Sequence, residues 1–230
     1  MFEKLFNNIG VPLINPSELI RISRMVSDST VSNLVGQSFN FDQVKLMPLQ
    51  NVGAIPAVGG FNGPKSPTEQ IMDMGKKYQI PYTGDIDSYQ KRVVKAVIMH
   101  KALEYGVPMN VALGVAGNES GWKMWSNIQK GTLVNCKNPN STDWGAMQIN
   151  DHAHTKAFPR AKNDLEYNID YGMQFLSNRQ NKIKGSLGLG FGEWDRTIAS
   201  YNLGHNPKST RDYEIANKYV SRVKNQSLKV

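Results

Sequence analysis

The sequence contains a single cysteine, Cys136, among its 230 residues. One thiol cannot form an internal disulfide or supply a cysteine-based zinc site, so both are excluded. No uninterrupted apolar run approaches the roughly 20 residues that a membrane-spanning helix needs, which excludes a transmembrane segment. A chain of this length buries a sizeable core without covalent cross-links. We therefore expect a folded protein that needs no disulfide.

Acidic residues are scarce relative to basic ones. Asp and Glu together number 19 against 27 for Lys and Arg, which gives a formal net charge of +8. Such a chain is attracted to polyanions, whether nucleic acid, an acidic membrane face or an anionic cell wall. No recognisable nucleic-acid-binding module accompanies the charge, so we expect no specific nucleic-acid partner. A surface charge that only keeps the protein soluble is the alternative.

A secretory signal is also missing from the first twenty residues. Asn7, Asn8, Gly10 and Pro12 interrupt any apolar core there, and no small-residue cleavage site follows. If the substrate lies outside the cytoplasm, we expect delivery by a route other than ordinary signal-peptide export.

The chain divides into three zones. Residues 1–47 contain a short amphipathic helix, predicted over 17–26. Residues 48–67 hold four prolines and four glycines, a density of helix breakers typical of a linker. Residues 68–230 have a steadier helical pattern and are predicted to form the main domain.

The main domain is predicted to be mostly helical with a small β element, an α+β arrangement. The stretch from Lys130 to Asn150 is rich in Asn, Thr, Gly and Ser and predicts loops with short strands. The predicted helices begin at Ser66-Pro67-Thr68-Glu69 and then run over 88–106, 111–119, 164–182, 194–202 and 213–223.

Glu119 is the most informative single residue. It ends a helix whose run VALGVAG is apolar nearly all round and is therefore predicted to be buried. The negative end of the helix dipole and the apolar surroundings both disfavour an ionised carboxylate, so they raise its pKa. A glutamate protonated near neutral pH can act as a general acid. The alternative is a glutamate that points into solvent at a frayed helix end.

Two further segments carry candidate site residues. In STDWGAMQIN, residues 141–150, a loop leads into a predicted short strand and brings Asp143 and Gln148 to one wall of a cleft. An aspartate that holds its own backbone in an Asx-turn is the alternative for Asp143. In ASYNLG, residues 199–204, Tyr201 and Asn202 end a helix before a glycine. Taken alone, this segment is an ordinary C-cap with a buried tyrosine.

The order of these segments resembles the lysozyme-like lytic transglycosylases, the SLT group that cleaves peptidoglycan. The resemblance extends over residues 88–205, and several ordered blocks are much more specific than any one of them. The blocks that carry it are VAGNESGW (115–122), GAMQIN (145–150), ASYNLG (199–204), the lead-in YGVP (105–108) and LEYNIDYGMQFL (165–176).

The resemblance implies a lysozyme-like fold and a set of site residues. Glu119 matches the acid that protonates the glycosidic oxygen between N-acetylmuramic acid and N-acetylglucosamine, then acts as base to give a 1,6-anhydro product. Tyr201 matches the tyrosine placed against that carboxyl. Gln148 and Met147 match residues of the sugar cleft, and Asn202 belongs to the same motif as Tyr201. The resemblance implies glycan strands as partner, and we expect neither a cofactor nor a metal.

The segment between Glu119 and Gly145 is longer than in compact members of this group. It is predicted to form a flap whose Trp122 and Trp125 stack on sugar rings, unless these side chains pack in the core instead. The serine that contacts the substrate's N-acetyl group is not fixed by the pattern, and Ser141 and Ser126 are both candidates.

Asp143 leaves the reaction type open. Its segment also resembles that of animal-type lysozymes, where it carries the second carboxylate, and that of conjugation- and secretion-type transglycosylases. A carboxylate roughly 5–5.5 Å from Glu119 would fit a retaining hydrolase, and one at about 6.5–9.5 Å an inverting one. We expect a transglycosylase, with a hydrolytic muramidase that uses Glu119 and Asp143 as the first alternative and a non-enzymatic wall-binding protein as the second.

A wall substrate without a recognised export signal suggests a carrier. We expect a phage virion-associated enzyme that acts in the periplasm during genome entry, attached to the particle through residues 1–67. A conjugation or secretion apparatus is the alternative carrier. The net charge alone would also fit a DNA-binding virion component.

Overall fold

A computed structural model describes residues 65–229 of the chain. The helix predicted over 17–26 and nearly all of the linker predicted over 48–67 lie outside the described residues. The division into an attachment segment, a linker and a main domain therefore stays a prediction. The elements within 65–229 are α1 (Pro67–Lys77), α2 (Ile86–Tyr105), α3 (Met109–Ser120), β1 (Trp125–Asn127), β2 (Thr132–Leu133), β3 (Asn135–Asn138), β4 (Ser141–Trp144), β5 (Ile149–Asn150), α4 (Arg160–Asn163), α5 (Leu165–Lys182), α6 (Asp195–Leu203) and α7 (Thr210–Ser227).

The predicted α+β class is confirmed. Helices dominate, and the strands form two small antiparallel sheets, one of β1 and β2 and one in the order β3-β4-β5. None of the helices over 65–229 combines the length and apolar character required to cross a membrane.

Helix boundaries follow local capping chemistry. Ser66 and Glu69 form a capping box at the start of α1, as the sequence predicted. The helix predicted from Ser88 begins slightly earlier, because the Asp85 carboxylate accepts a hydrogen bond from the Ser88 backbone N–H at 2.9 Å. It ends as expected at Gly106, whose φ of 67° suits glycine.

Helix α3 is the central element of the core. All residues from Val111 to Gly117 are buried, and the helix packs against α2 and α7. The approach of α7 is very close at Gly114, where an added Cβ would lie 2.7 Å from the backbone oxygen of Val223. This close packing brings the face of α7 against the end of α3, where Glu119 lies.

The short strand predicted in STDWGAMQIN is present, but it begins only at Ile149 and is preceded by a second strand and a turn. Residues 145–148 form a turn, in which Gly145 has a φ of 78° and Gln148 a φ of 46°, and the strands lie on either side as β4 and β5. The turn is fixed by the buried Asn168 of α5. Its Oδ1 accepts from the Met147 N–H at 2.9 Å, and its Nδ2 donates to the Trp144 carbonyl at 3.0 Å. Because Asn168 is distant in sequence from this turn, the pattern of residues 145–148 alone could not reveal the turn.

Candidate active site

A cleft of about 660 Å³ lies between the three-stranded sheet on one side and α5 with the end of α6 on the other. Glu119 is one of the residues at its surface. The residues that line the cleft are Glu119, Asn138, Ser141, Asp143, Gln148, Ile149, Asn150, Ala153, His154, Phe175, Arg179, Tyr201, Asn202, Leu203 and Gly204.

Glu119 is half-buried in the last turn of α3, which ends at Gly121. Burial raises the pKa of its carboxyl above the usual range, and the negative charge of Asp143 adds to this. Hydrogen bonds from Tyr219 and Asn118 act in the opposite direction without cancelling the effect. Glu119 therefore does not point into solvent at a frayed helix end, which was the alternative for this residue.

Tyr219 of α7 is the residue that sequence reasoning missed. Its hydroxyl donates a hydrogen bond to Oε1 of Glu119, and its side chain is 1% exposed. A signal for it was present, because Ala216, Tyr219, Val220 and Val223 form an apolar stripe with helical spacing. A buried tyrosine needs a partner for its hydroxyl, which marks Tyr219 as facing a polar group.

Tyr201 lines the cleft but bonds elsewhere. Its hydroxyl donates to the backbone oxygen of Met147 at 2.7 Å, and its ring packs edge-on against Phe175 at 5.6 Å between centroids. Burial raises the pKa of Tyr201 well above its usual value, and the charges of Glu119 and Asp143 add to the rise. The tyrosine hydrogen-bonded to the carboxyl is thus Tyr219, while Tyr201 shares the cleft with that carboxyl.

Asp143 faces the cleft from β4. Its Oδ1 accepts a hydrogen bond from Asn150 at 2.7 Å and its Oδ2 one from Asn138 at 3.0 Å. Both partners come from the neighbouring strands β5 and β3, so the Asx-turn alternative does not describe this carboxylate. Asn138 was not predicted as a site residue, because the strand pairing that brings it to Asp143 is not visible in the local pattern.

Three of the residues predicted to bind substrate come together in this cleft. Ser141 accepts a hydrogen bond from Asn150 at 2.9 Å. Gln148 donates to the Gly145 backbone oxygen at 2.7 Å. Asn202 lies at the end of α6 and also lines the cleft. Their placement agrees with a role in holding a polar substrate, which stays a prediction.

Met147 and Trp122 do not line the cleft, which corrects their assignment as substrate-binding residues. Met147 is fully buried and packs on Gly172, where an added Cβ would lie 2.7 Å from Met147 Cβ. Trp122 is 9% exposed, and its indole N–H donates to the Leu113 backbone oxygen at 2.9 Å. Trp125 is 3% exposed. All three side chains are buried members of the hydrophobic core.

The cleft also contains groups that the sequence did not single out for the site. His154 is half-buried, with Nδ1 3.1 Å from the Tyr171 hydroxyl. Its ring lies 4.9 Å from that of Phe175. Arg179, on α5, lies over the Phe175 ring, with its guanidinium carbon 4.9 Å from the ring centroid. Over residues 65–229, no group of three or more His, Cys, Asp or Glu side chains is arranged to hold a metal ion.

The arrangement is suited to proton transfer onto a neutral polar substrate. A carboxyl with a raised pKa can be protonated near neutral pH and donate that proton. The amides and hydroxyls around it can hydrogen-bond a sugar, and Asp143 and Arg179 are the charged groups beside them in the cleft. Cleavage of a glycosidic bond needs this combination of groups.

Comparison with known proteins agrees with this chemistry. Residues 96–220, more than half of the chain, match the family model described as the transglycosylase SLT domain. Protein IpgF from Shigella sonnei is 26% identical over 136 residues, which are 58% of this chain and 76% of that protein. No solved structure matches the chain. The family match includes Glu119, Asp143 and Tyr201, and extends past the earlier limit of residue 205 to include Tyr219. The chain therefore belongs to the transglycosylase SLT domain family, and it is a peptidoglycan lytic transglycosylase.

Proposed function

We propose that the chain cleaves the β-1,4 bond between N-acetylmuramic acid and N-acetylglucosamine with Glu119 as general acid and then general base. The observation that carries this proposal is a half-buried carboxyl of raised pKa that opens into a cleft of about 660 Å³. Its family supplies the substrate class, peptidoglycan.

The hydrogen bonds to Glu119 support a specific starting state. Tyr219 and Asn118 both donate to Oε1, and Asn118 does so at 3.5 Å. Among the described residues no hydrogen bond reaches Oε2, so that oxygen is the one to carry the transferable proton. Tyr219 then orients the carboxyl through its bond to Oε1 and leaves Oε2 available for proton transfer.

The reaction needs two proton movements. Glu119 donates its proton to the glycosidic oxygen, the bond to the anomeric carbon of the muramyl sugar breaks, and N-acetylglucosamine leaves as the alcohol. The Glu119 carboxylate then takes the proton of the muramyl 6-hydroxyl while that oxygen bonds to the anomeric carbon. The product is a 1,6-anhydro sugar, no water is consumed, and Glu119 ends protonated as it began.

Mass spectrometry of the soluble products released from purified peptidoglycan tests this proposal. The parent protein is expected to release anhydro-muramyl fragments, and Glu119→Gln is expected to reduce the rate by about 10²–10⁴-fold because general-acid catalysis contributes on that order. Glu104→Gln, an exposed glutamate of α2, is the matched control. Equal product formation by Glu119→Gln and the parent, with both folded, would contradict the role of Glu119.

A hydrolytic muramidase that uses Glu119 and Asp143 is the second candidate. The observation that favours it is the presence of both carboxyl groups in the same cleft, close enough for Asp143 to raise the pKa of Glu119. It predicts reducing-end muramyl products in the same experiment, with loss of activity in Asp143→Asn.

We further propose that this activity opens the bacterial wall locally during phage genome entry, with residues 1–67 attaching the enzyme to the particle. Residues 1–67 lie outside the family match, and the net charge of +8 suits an anionic envelope. Immunodetection in purified particles, with deletion of 1–67 as the comparison, tests this. Recovery with a conjugation or secretion apparatus instead would support the alternative carrier.

A further inference from the structure

Arg179 brings a positive charge to the cleft that contains Glu119. It lies on α5, is half-buried, and lines the cleft together with Phe175 and Gly204. One guanidinium nitrogen donates to the Gly204 backbone oxygen at 2.5 Å. The rest of the group lies over the Phe175 ring, 4.9 Å from its centroid.

This charge has no carboxylate partner within residues 65–229. The ion pairs of that range involve other cations, and the nearest candidate on the same helix, Asp170, is paired with Lys101 at 2.8 Å. Asp143, across the cleft, is held by Asn138 and Asn150. An arginine stays charged at all ordinary pH values, so the cleft holds a cation that forms no ion pair within the described residues.

The contacts of Arg179 prepare it for an anion. A partly desolvated charge is costly unless a partner compensates it. Stacking on Phe175 fixes the plane of the guanidinium, and the Gly204 carbonyl occupies one of its five N–H donors. The remaining donors form a planar fork, which matches the two oxygens of a carboxylate.

We propose that Arg179 binds a carboxylate on the muramyl unit of the substrate and selects muramyl glycans over uncharged amino-sugar polymers. This inference rests on the proposed function, because it takes a peptidoglycan strand as the ligand. The sugar rings and N-acetyl groups of that strand are neutral. Its carboxylates belong either to the lactyl group, where the peptide has been removed, or to the stem peptide. Arg179 acts here as a specificity residue and does not touch the bond that breaks.

A structural role for Arg179 gives a different result. If its only task is to join α5 to the end of α6 through Gly204, replacement lowers stability and weakens every ligand equally. A role in carboxylate binding instead makes the loss depend on the charge of the ligand. The two are separated by comparing ligands that differ only in that charge.

The test measures binding by isothermal titration with the full chain carrying Glu119→Gln, so that ligands are not consumed. Four soluble probes of equal sugar length are compared: a glycan fragment with stem peptides, one stripped of peptides to expose lactyl carboxylates, the peptide-bearing fragment with its carboxylates amidated, and an N-acetylglucosamine oligomer. Arg179→Gln is expected to weaken the charged fragments by about 10- to 100-fold, the range for a hydrogen-bonded charge. The neutral probes are expected to bind with unchanged affinity.

Lys182→Gln is the matched control, because it removes the same charge from an exposed position of the same helix. Loss confined to the peptide-bearing fragment identifies the stem as the source of the carboxylate, and loss confined to the stripped fragment identifies the lactyl group. Equal weakening of charged and neutral probes, or none, overturns the proposal. If Arg179→Gln does not fold, Arg179→Lys replaces it. The affinity of the protein with its native Arg179 for the charged peptide-bearing fragment is then also compared with its affinity for the amidated fragment, and a ratio of one overturns the proposal.

The outcome is independent of the product assay. Charge-dependent binding through Arg179 without anhydro products would contradict the proposed function and keep this site. Anhydro products together with charge-independent binding would support the proposed function and contradict the role of Arg179.

Discussion

At the scale of single residues, Glu119 is subject to influences of opposite sign. Burial and the charge of Asp143 favour its neutral form, whereas hydrogen bonds from Tyr219 and Asn118 favour its ionised form. The net effect is a raised pKa. Since a general acid must be protonated at the start of each turnover, the upper pH limit of activity follows the pKa of Glu119. Each neighbour can therefore be tested by the direction in which it moves that limit.

Tyr219→Phe removes the hydroxyl that donates to Oε1 of Glu119. The carboxylate loses a stabilising hydrogen bond, so the pKa of Glu119 rises further, and the alkaline limb of the kcat/KM profile is expected to move to higher pH. The maximal rate is expected to fall by roughly 10- to 100-fold, because a hydrogen bond to a charged group is worth about 1.5–3 kcal/mol. The pH–rate profile on peptidoglycan measures both effects.

Tyr213→Phe serves as the control, because Tyr213 lies on the same helix and is 36% exposed. It is expected to leave the profile unchanged. A Tyr219→Phe profile with its alkaline limb shifted to lower pH would contradict the assigned hydrogen bond.

Asp143→Asn gives the opposite shift. The substitution removes a negative charge that disfavours ionisation of Glu119, so the pKa of Glu119 falls and the alkaline limb is expected to move to lower pH. In a transglycosylase, Asp143→Asn is expected to keep its activity within about tenfold of the parent at pH values below the alkaline limb, because no second carboxylate is needed as nucleophile. Loss of all activity at every pH would instead favour the muramidase. Asp87→Asn, an exposed position on α2, is the matched control.

At the scale of secondary-structure elements, the position of Tyr219 depends on how closely α7 approaches α3. Gly114 permits that approach, because a Cβ there would lie 2.7 Å from the Val223 backbone oxygen and 2.9 Å from its side chain. A backbone oxygen cannot move aside without moving its helix. The stability of the α3–α7 pair and the geometry of the catalytic carboxyl are therefore coupled.

Gly114→Ala tests this coupling. Overpacking is expected to cost about 1–3 kcal/mol, partly offset by the roughly 1 kcal/mol that alanine gains over glycine in a helix. We expect the melting temperature to fall by a few degrees, and the specific activity of the folded protein to fall as Tyr219 shifts away from Glu119. Thermal unfolding and initial rates below the transition measure the two effects. A more stable variant with parental activity would show that α7 does not need this close packing.

The sequence predicted the elements where local chemistry decides them. The starts of α1 and α5 follow from the capping residues Ser66 and Asp164, and Glu119 follows from the apolar helix that it ends. The start of α2 was predicted slightly too late, because Asp85 caps it. The turn at 145–148 was missed because Asn168, more than twenty residues away, fixes it. Tyr219 was missed for the same reason, since its partner Glu119 lies one hundred residues earlier. Contacts between distant segments depend on the assembled fold, and single-sequence patterns do not contain them.

At the scale of the whole molecule, two kinds of charge act on the substrate: the net charge of +8 spread over the chain, and the charged groups inside the cleft. Dispersed surface lysines and arginines attract an extended anionic wall through solvent, where salt screens them. The half-buried groups of the cleft are screened much less. Binding to the wall and turnover in the cleft should therefore respond differently to ionic strength.

Raising NaCl from about 0.05 M to about 0.3 M is expected to weaken binding of the full chain to intact peptidoglycan several-fold, because the Debye length is about 10 Å at 0.1 M and shortens with added salt. Turnover of a short soluble glycan fragment is expected to change much less, since only the cleft contacts it. Cosedimentation and product release measure the two. An equal loss in both would locate the attraction in the cleft, with Arg179 as its source. Release from the wall by duplex DNA at physiological salt would instead favour the nucleic-acid alternative, because a polyanion without sugar specificity would then compete for the same surface charge.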